Sequence, residues 1–356
     1  MKLSHFPYLV QKEVLDHLSF NNIFFLSLCS KKTKNFIIET QKYQFQKVDS
    51  VSYGNKNAEL IVTQVRMVSG KRSDFMSLYD YSKMDLPPYP IERIKLNELG
   101  ISIDFFRCPT NNSSDLQAQF RSDNMHSVVG TILNYLSDLL GNDTKFWFKG
   151  VFQRGNFLPR LPNLRLCHLA GDGCEATAID EFLSRSPHLE YFLLTTNWDQ
   201  HIRLREDSKL YDLHTIYLWT LCPLVTDVMK RFNGRQAYLL SRLITTADVI
   251  EFLNAWQSGE KYLNLEVTCI IARLALPEIQ RSFEFKTINT PIQYSFVRKF
   301  PEHRPYNPQN YTWYLKSQYY MVRKSDGRVA SVMLEPLRIF MGVWDLTESE
   351  FLEKYQ

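Results

Sequence analysis

The chain has 356 residues, of which 44% are hydrophobic, 14% aromatic and 22% charged, and its formal net charge is +4. At roughly 150 residues per domain that length suits about two domains, and the composition excludes collagen, a coiled coil, a disordered chain and a small disulfide-stapled scaffold. So slight a basic excess gives no argument for a nucleic-acid partner.

Residues 1–45 read as short helices. Gln11–Leu18 forms one, with Val14, Leu15 and Leu18 on one face. Ser19–Asn22 is a break rich in N-cap residues. Ile23–Cys29 forms a second helix, apolar nearly all round, and Ser30 caps a third in which Lys31, Lys32 and Lys34 face water while Phe36 and Ile37 face inward. Three short helices cannot bury this apolar load by themselves. Some of Phe6, Leu9, Val10, Leu15, Phe20, Ile23, Phe24 and Leu26 must pack on the rest of the chain or on a partner protein. A spanning helix needs about 20 apolar residues, and the early run Ile23–Cys29 falls well short, so no membrane association is expected. His5, Pro7, Gln11, Lys12 and Glu13 interrupt any signal-peptide apolar region. Cys29, Cys108, Cys167, Cys174, Cys222 and Cys269 are irregularly spaced with no CxxC, which reads as reduced thiols in a cytoplasmic or nuclear protein.

Residues 59–81 read as strands, Ile61–Val68 and Phe75–Tyr81, with the turn at Ser69–Arg72. Ser82–Pro90 reads as a linker, because Pro87, Pro88 and Pro90 block regular pairing. From about 91 to 270 the chain alternates short apolar strands with helical stretches. The pattern L-x-x-L-x-L-x-x-(N/C/L) fits Leu161, Leu164, Leu166, Leu169, then Leu189, Phe192, Leu194, Asn197, then Leu213, Ile216, Leu218, Leu221. Weaker matches fall at Tyr238, Leu240, Leu243 and at Leu263, Leu265, Thr268, and an earlier one at Ile91, Ile94, Leu96, Leu99. The sixth position recurs at Leu166, Leu194, Leu218, Leu240 and Leu265, a period within the ~20–29 residues of a leucine-rich repeat. Ile179–Leu183 resembles Val249–Leu253 in the helical halves. In the second, Val249, Phe252, Leu253 and Trp256 make one helix face, which Thr245 or Thr246 caps and Gly259 ends. The other reading is a non-repetitive α/β domain with leucine-rich strands. Residues 301–310 are irregular, and the C-terminus returns to strands around an Asp326-Gly327 hairpin. The expected fold is therefore α/β: three N-terminal helices (1–45), a β-rich connecting segment and linker (46–90), a leucine-rich-repeat-like solenoid body (91–300) and a C-terminal β-hairpin region (301–356).

In such a repeat the intervening positions face the concave side. They include Arg165, Cys167 and His168, then Tyr191, Leu193 and Thr195, then Tyr217 and Trp219, with Arg242 further on. Tyr, Trp and Arg have the composition of binding hot spots, so Arg165, His168, Tyr191, Tyr217, Trp219 and Arg242 are candidate contacts for a protein ligand. The other readings are an ordinary solenoid face or burial under the C-terminal hairpin. HExxH, GxSxG, Walker and GxGxxG motifs are missing from the sequence, so no catalytic residue and no cofactor is expected. Cys167-His168 with Cys174 lacks a fourth ligand for zinc, and no metal is expected. Lys31–Lys34 reads as a solvated helix face.

The order Phe6-Pro7, Leu9-Val10, Glu13-Val14-Leu15, Leu18, Ile23, Leu26, Leu28 and Cys29-Ser30-Lys31-Lys32 resembles an F-box of the large nematode families, whose usual opening is Leu-Pro. A helix-turn-helix would need a polar second helix, which Ile23–Cys29 is not. Phe340-Met-Gly-Val-Trp344 after the hairpin resembles the end of the type 2 F-box-associated domain, and Asp248–Val267 resembles its central segment, with the domain-like region of the body at about 189–270. The resemblance implies a non-catalytic substrate receptor of an SCF-type cullin-RING ubiquitin ligase. Its F-box would bind a Skp-family adaptor, and through it a cullin, while the body holds an unknown protein substrate for ubiquitination. Carried over by position, Phe6, Pro7, Leu9, Val10, Val14, Leu15, Leu18, Ile23 and Leu26 would meet the adaptor. The competing expectation is a repeat scaffold with no ligase role, whose N-terminal helices merely cap the solenoid.

Overall fold

The computed structural model describes residues 5–57, 60–69, 72–80, 92–96, 101–107, 116–120, 125–141, 143–151, 163–171, 176–196, 203–297 and 312–355. The linker expected at Ser82–Pro90, the irregular stretch 301–310 and Cys174 lie outside them. The chain divides into two compact units, Met1–Arg165 with Arg185–His188, and Leu166–Ser184 with Leu189–Gln356. Residues 91–165 thus fall in the first unit, whereas the sequence grouped them with the repeat body.

The first unit opens with three helices, α1 (Tyr8–Asp16), α2 (Phe20–Cys29) and α3 (Lys31–Phe45). Seven strands follow: β1 (Val48–Asn57), β2 (Leu60–Met67), β3 (Arg72–Asp80), β4 (Glu92–Leu96), β5 (Ile101–Arg107), β6 (Leu116–Phe120) and β7 (Lys145–Val151). A sixteen-residue helix, α4 (Met125–Leu140), separates the last two. The strand order is β7-β1-β2-β3-β6-β5-β4. β1, β2 and β3 form an antiparallel meander, and β3 begins at Arg72, earlier than the strand expected at Phe75–Tyr81. β7 and β6 add in parallel to β1 and β3. Val51, Tyr53, Val65 and Met76 point into the core, the alternation that a half-buried strand imposes. Gly54 is required, because a Cβ there would run into the backbone of Lys149 on the neighbouring strand. β4 pairs antiparallel with β5, so Ile94 and Leu96, the described part of the earliest pattern match, lie on an antiparallel strand and not in a parallel repeat.

The second unit carries β8 (Leu164–Ala170), β9 (Tyr191–Thr196), β10 (Thr215–Thr220), β11 (Gln236–Leu240) and β12 (Val267–Ile271), parallel and in sequence order. Between them run α5 (Ala176–Ser184), a 3-10 turn at Lys209–Asp212, α6 (Leu224–Arg231) and α7 (Thr246–Ser258). α8 (Leu276–Ser282) follows, and these helices touch in succession as one layer. The remaining strands, β13 (Lys286–Val297), β14 (Thr312–Val322), β15 (Arg328–Glu335) and β16 (Arg338–Thr347), are antiparallel, with β16 joined to β12, and α9 (Glu348–Tyr355) ends the chain. The described fold is mixed α/β, with antiparallel strands at the C-terminal end of a parallel series.

Register corrects the repeat assignment. Leu169, Leu194, Leu218, Leu239 and Ile270 lie side by side across β8–β12, and all are buried. Leu166 aligns instead with Tyr191, and Leu240 with Trp219. The sequence pattern therefore slipped by three residues in β8, by one in β11 and by five at β12, where Leu265 precedes the strand. In β8 both faces are buried, so the period-two signal that fixes register is erased.

α7 forms as its sequence dictates. Thr245 is the N-cap: its hydroxyl accepts from the Asp248 amide (3.2 Å), while the Asp248 carboxylate accepts from the Thr245 amide (3.0 Å). This reciprocal pair satisfies two otherwise orphaned donors. Val249, Phe252, Leu253 and Trp256 are buried, and Gly259 closes the helix in the left-handed region. The hairpin at Asp326-Gly327 then locks onto this helix. Arg323 is 1% exposed. Its Nε and Nη2 donate to the two carboxylate oxygens of Asp326 (2.9 and 2.6 Å), its Nη1 donates to the carbonyls of Tyr262 (3.4 Å) and Leu263 (3.2 Å), and its guanidinium lies 5.5 Å from the Trp256 ring. The Lys324 amide donates to the Gln257 carbonyl (2.7 Å).

Candidate functional site

The second and third of the N-terminal helices start where the sequence supplies oxygen caps, whereas α1 starts after Pro7 without one. The Ser19 hydroxyl accepts from the Asn22 amide (3.4 Å) and the Ser30 hydroxyl from the Thr33 amide (3.1 Å). α1 is pinned to α3 by a buried amide: Gln41 Nε2 donates to Asp16 Oδ1 (2.8 Å), and Lys12 Nζ holds Asp16 Oδ2 (2.7 Å). Lys12 first, and then Gln41, hold the Asp16 carboxyl below the usual carboxylate range. Tyr8 meets Phe36 edge-on at 6.1 Å.

The other side of the trio is covered from within the first unit. Phe24 meets Tyr135 of α4 edge-on at 5.7 Å. The Tyr135 hydroxyl donates to Ser27 Oγ (3.0 Å). Lys34 Nζ sits 4.2 Å from the Tyr135 ring centre and 3.6 Å from Asp138. Ile132, Leu133, Leu136 and Leu139 are buried along α4, a helical stripe that the sequence displays but that the strand-centred reading of that region passed over.

What α4 leaves uncovered is one face of α1. Leu9 is 76% exposed, and Tyr8, Val10 and Val14 are exposed with it; so is Pro7. Pro7, Val10 and Val14 follow a spacing of three and four, which stacks them on one stripe. Among the other sequence candidates, Phe6, Leu18 and Leu26 are half-buried. Leu15 and Ile23 are buried in the helical trio; each faces inward and belongs to the fold. Tyr8, which the sequence reading did not select, is exposed as well but lies off that stripe, about a quarter turn round the helix from Pro7 and edge-on to Phe36.

The candidates on and beside β8–β11 separate by face. His168, Leu193, Tyr217 and Tyr238 form one cross-strand row, and Thr195, Trp219, Leu240 and Ile271 the next row on the same face. Tyr191 shares that face. Arg165 and Cys167 alternate with His168 and point to the opposite side, so adjacent residues assigned together by pattern are split by the pleat. Arg165 Nη1 donates to the His188 carbonyl (3.4 Å). His168 is buried, with Nε2 3.2 Å from the Thr195 hydroxyl. Tyr191 and Tyr217 are half-buried, Trp219 is 48% exposed, and Arg242 is exposed beyond the end of β11. Among the described residues no cluster of His, Cys, Asp and Glu is arranged to hold a metal, and no helix is long and apolar enough to cross a membrane.

Comparison with known families matches residues 3–44 to the F-box domain. A search of the curated proteins gives no match to the chain, and neither does a search of the solved structures. The matched segment coincides with α1–α3, whose outer stripe is open and whose inner side rests on α4: the chain carries an F-box domain at its N-terminus.

Proposed function

We propose that this protein is the substrate-recognition subunit of an SCF-type cullin-RING ubiquitin ligase. The observation that carries the reading is an F-box domain whose Pro7, Leu9, Val10 and Val14 stand in solvent while the opposite side is packed. F-box domains bind Skp-family adaptors, and the adaptor joins the cullin. The exposed stripe, with Phe6, Leu18 and Leu26 at its margin, is the adaptor contact; Leu15 and Ile23 support it from behind. The receptor breaks and makes no bond. It raises the effective concentration of a substrate lysine beside the charged conjugating enzyme, which suits a protein of the cytoplasm or nucleus.

The body of the chain holds the substrate. A relation to the nematode F-box families and their type 2 associated domain is supported by the Arg323 contacts, which join the two segments that carry the resemblance, the C-terminal hairpin and residues 248–267. A leucine-rich-repeat-like character is supported over β8–β12 by their parallel, sequential order. The face bearing Tyr191, Tyr217 and Trp219 is the substrate surface in this reading.

Each fully buried Leu or Val is worth about 1.5–3 kcal/mol, so Leu9→Asp/Val10→Asp should weaken adaptor binding more than about a hundredfold, at ~1.4 kcal/mol per tenfold. A pull-down with purified Skp-family adaptor reads this directly. Capture unchanged by the double substitution would refute this stripe as the adaptor contact, and no capture by the wild type would leave an interaction scaffold with no ligase role.

A further inference from the structure

We infer that the C-terminal rim of the parallel strands β10–β12 takes a short acidic, apolar segment of a partner protein. This rests on the receptor reading and adds the chemical class of what the body holds. Register sets Trp219, Leu240, Ile271 and Arg338 side by side across β10, β11, β12 and β16. The row lies on the face opposite Leu218, Leu239 and Ile270, one row beyond Leu193, Tyr217 and Tyr238. Trp219 and Ile271 are exposed, and Leu337, in the turn before β16, is 60% exposed. The ladder runs one bond further, with the Ser241 amide donating to the Ile271 carbonyl (3.2 Å) and the Ala272 amide to the Leu337 carbonyl (3.1 Å). This places Arg242 and Arg273 at equivalent positions just past the ends of β11 and β12, and both are exposed.

Charge decides the occupant. Neither Arg242 nor Arg273 has a carboxylate within ion-pair distance among the described residues. Arg338 is already held by Glu335, at 3.1 Å through both Nε and Nη2. Among the described residues, the rim therefore offers two guanidinium forks with no carboxylate paired to them, beside a half-open indole. Arginine forks match carboxylates two oxygens at a time, and Trp and Arg are the residues enriched where interface energy concentrates. Four strands at ~4.8 Å spacing span about 14 Å, which an extended chain crosses in about five residues at ~3.3 Å each. A segment that alternates Asp or Glu with Leu or Phe meets both demands.

The test uses the full-length protein and three labelled twelve-residue peptides, built of Glu/Leu/Phe, Lys/Leu/Phe and Glu/Ser/Gly, read by fluorescence anisotropy. The Glu/Leu/Phe peptide should bind at least tenfold more tightly than the other two. Arg242→Glu/Arg273→Glu should cost it tenfold or more and shift the preference to the Lys/Leu/Phe peptide. Trp219→Ala should weaken it tenfold without changing charge. Equal binding of the three peptides, or Glu/Leu/Phe binding unaffected in both variants, overturns the proposal. Adaptor binding measured on the same samples separates the two readings. Adaptor capture without peptide preference removes the rim and leaves the receptor, whereas peptide preference without adaptor capture removes the receptor and leaves the rim.

Discussion

Replacing Arg323 by alanine should unlatch the C-terminal hairpin from α7. The side chain is fully enclosed, forms a fork on Asp326 and caps two carbonyls at the end of the α7 segment. Removing one partner of a buried pair costs ~3–5 kcal/mol, but the Asp326 side chain is 38% exposed and regains water once freed. The expected loss is therefore at the lower end, about 3 kcal/mol, a shift of about a hundredfold in the folding constant. Urea denaturation followed by tryptophan fluorescence reads it, with Arg323→Met as a control that keeps aliphatic packing on Trp256 and loses only the polar contacts. The pH dependence supplies a second check. Asp326 is held below its ordinary value of 3.8, chiefly by the hydrogen bond from Arg323. Its contribution is in full force above that value and is lost as pH falls through the lower folded value. Arg323→Ala should flatten this acid limb. A variant within about 0.5 kcal/mol of wild type, with the acid limb intact, would refute the latch.

Tyr135→Phe should cost about 1 kcal/mol, the net worth of one buried hydrogen bond to Ser27, seen as an earlier urea midpoint. Thr245→Ala removes the α7 capping box and should cost ~1 kcal/mol, read by thermal unfolding. Gly342→Ala places a methyl group against the Tyr294 ring and should destabilise by about 1–3 kcal/mol, measured by chemical denaturation. Burial, aided by the hydrogen bond to Glu348, pushes the Tyr320 hydroxyl up to about 12 from 10.0. Its neutral form then favours the folded state below pH 10, and that advantage should fade between pH 10 and 12 in wild type and not in Tyr320→Phe, as followed by circular dichroism against pH.

Local chemistry was the readable part of the sequence. Ser19, Ser30, Thr245 and Gly259 act within a few residues, and each sits at the helix end its side chain or conformational freedom predicts. Asp326-Gly327 turns the hairpin for the same reason, with Gly327 at φ 73°. The repeat register was harder to read. Where β8 buries both faces, Leu166 and Leu169 satisfy the same pattern, and only pairing with β9 tells them apart. The exposed stripe of α1 was legible as excess apolar surface, but its division into outward Leu9 and inward Leu15 depends on the packing of α1 against α3, where Gln41 holds Asp16. Arg323 gave no signal at all: a lone arginine beside a turn looks like solvent-exposed charge until α7 arrives beneath it.

The support that α4 gives the F-box has a practical meaning for anyone who would transplant it. A fragment ending at Phe45 leaves Phe24, Ser27 and Lys34 without Tyr135 and Asp138, the residues that back them. Grafted alone onto a foreign receptor, those helices would present two oily sides instead of one and would invite self-association. The transferable piece is the first compact unit, which extends past α4 and β7.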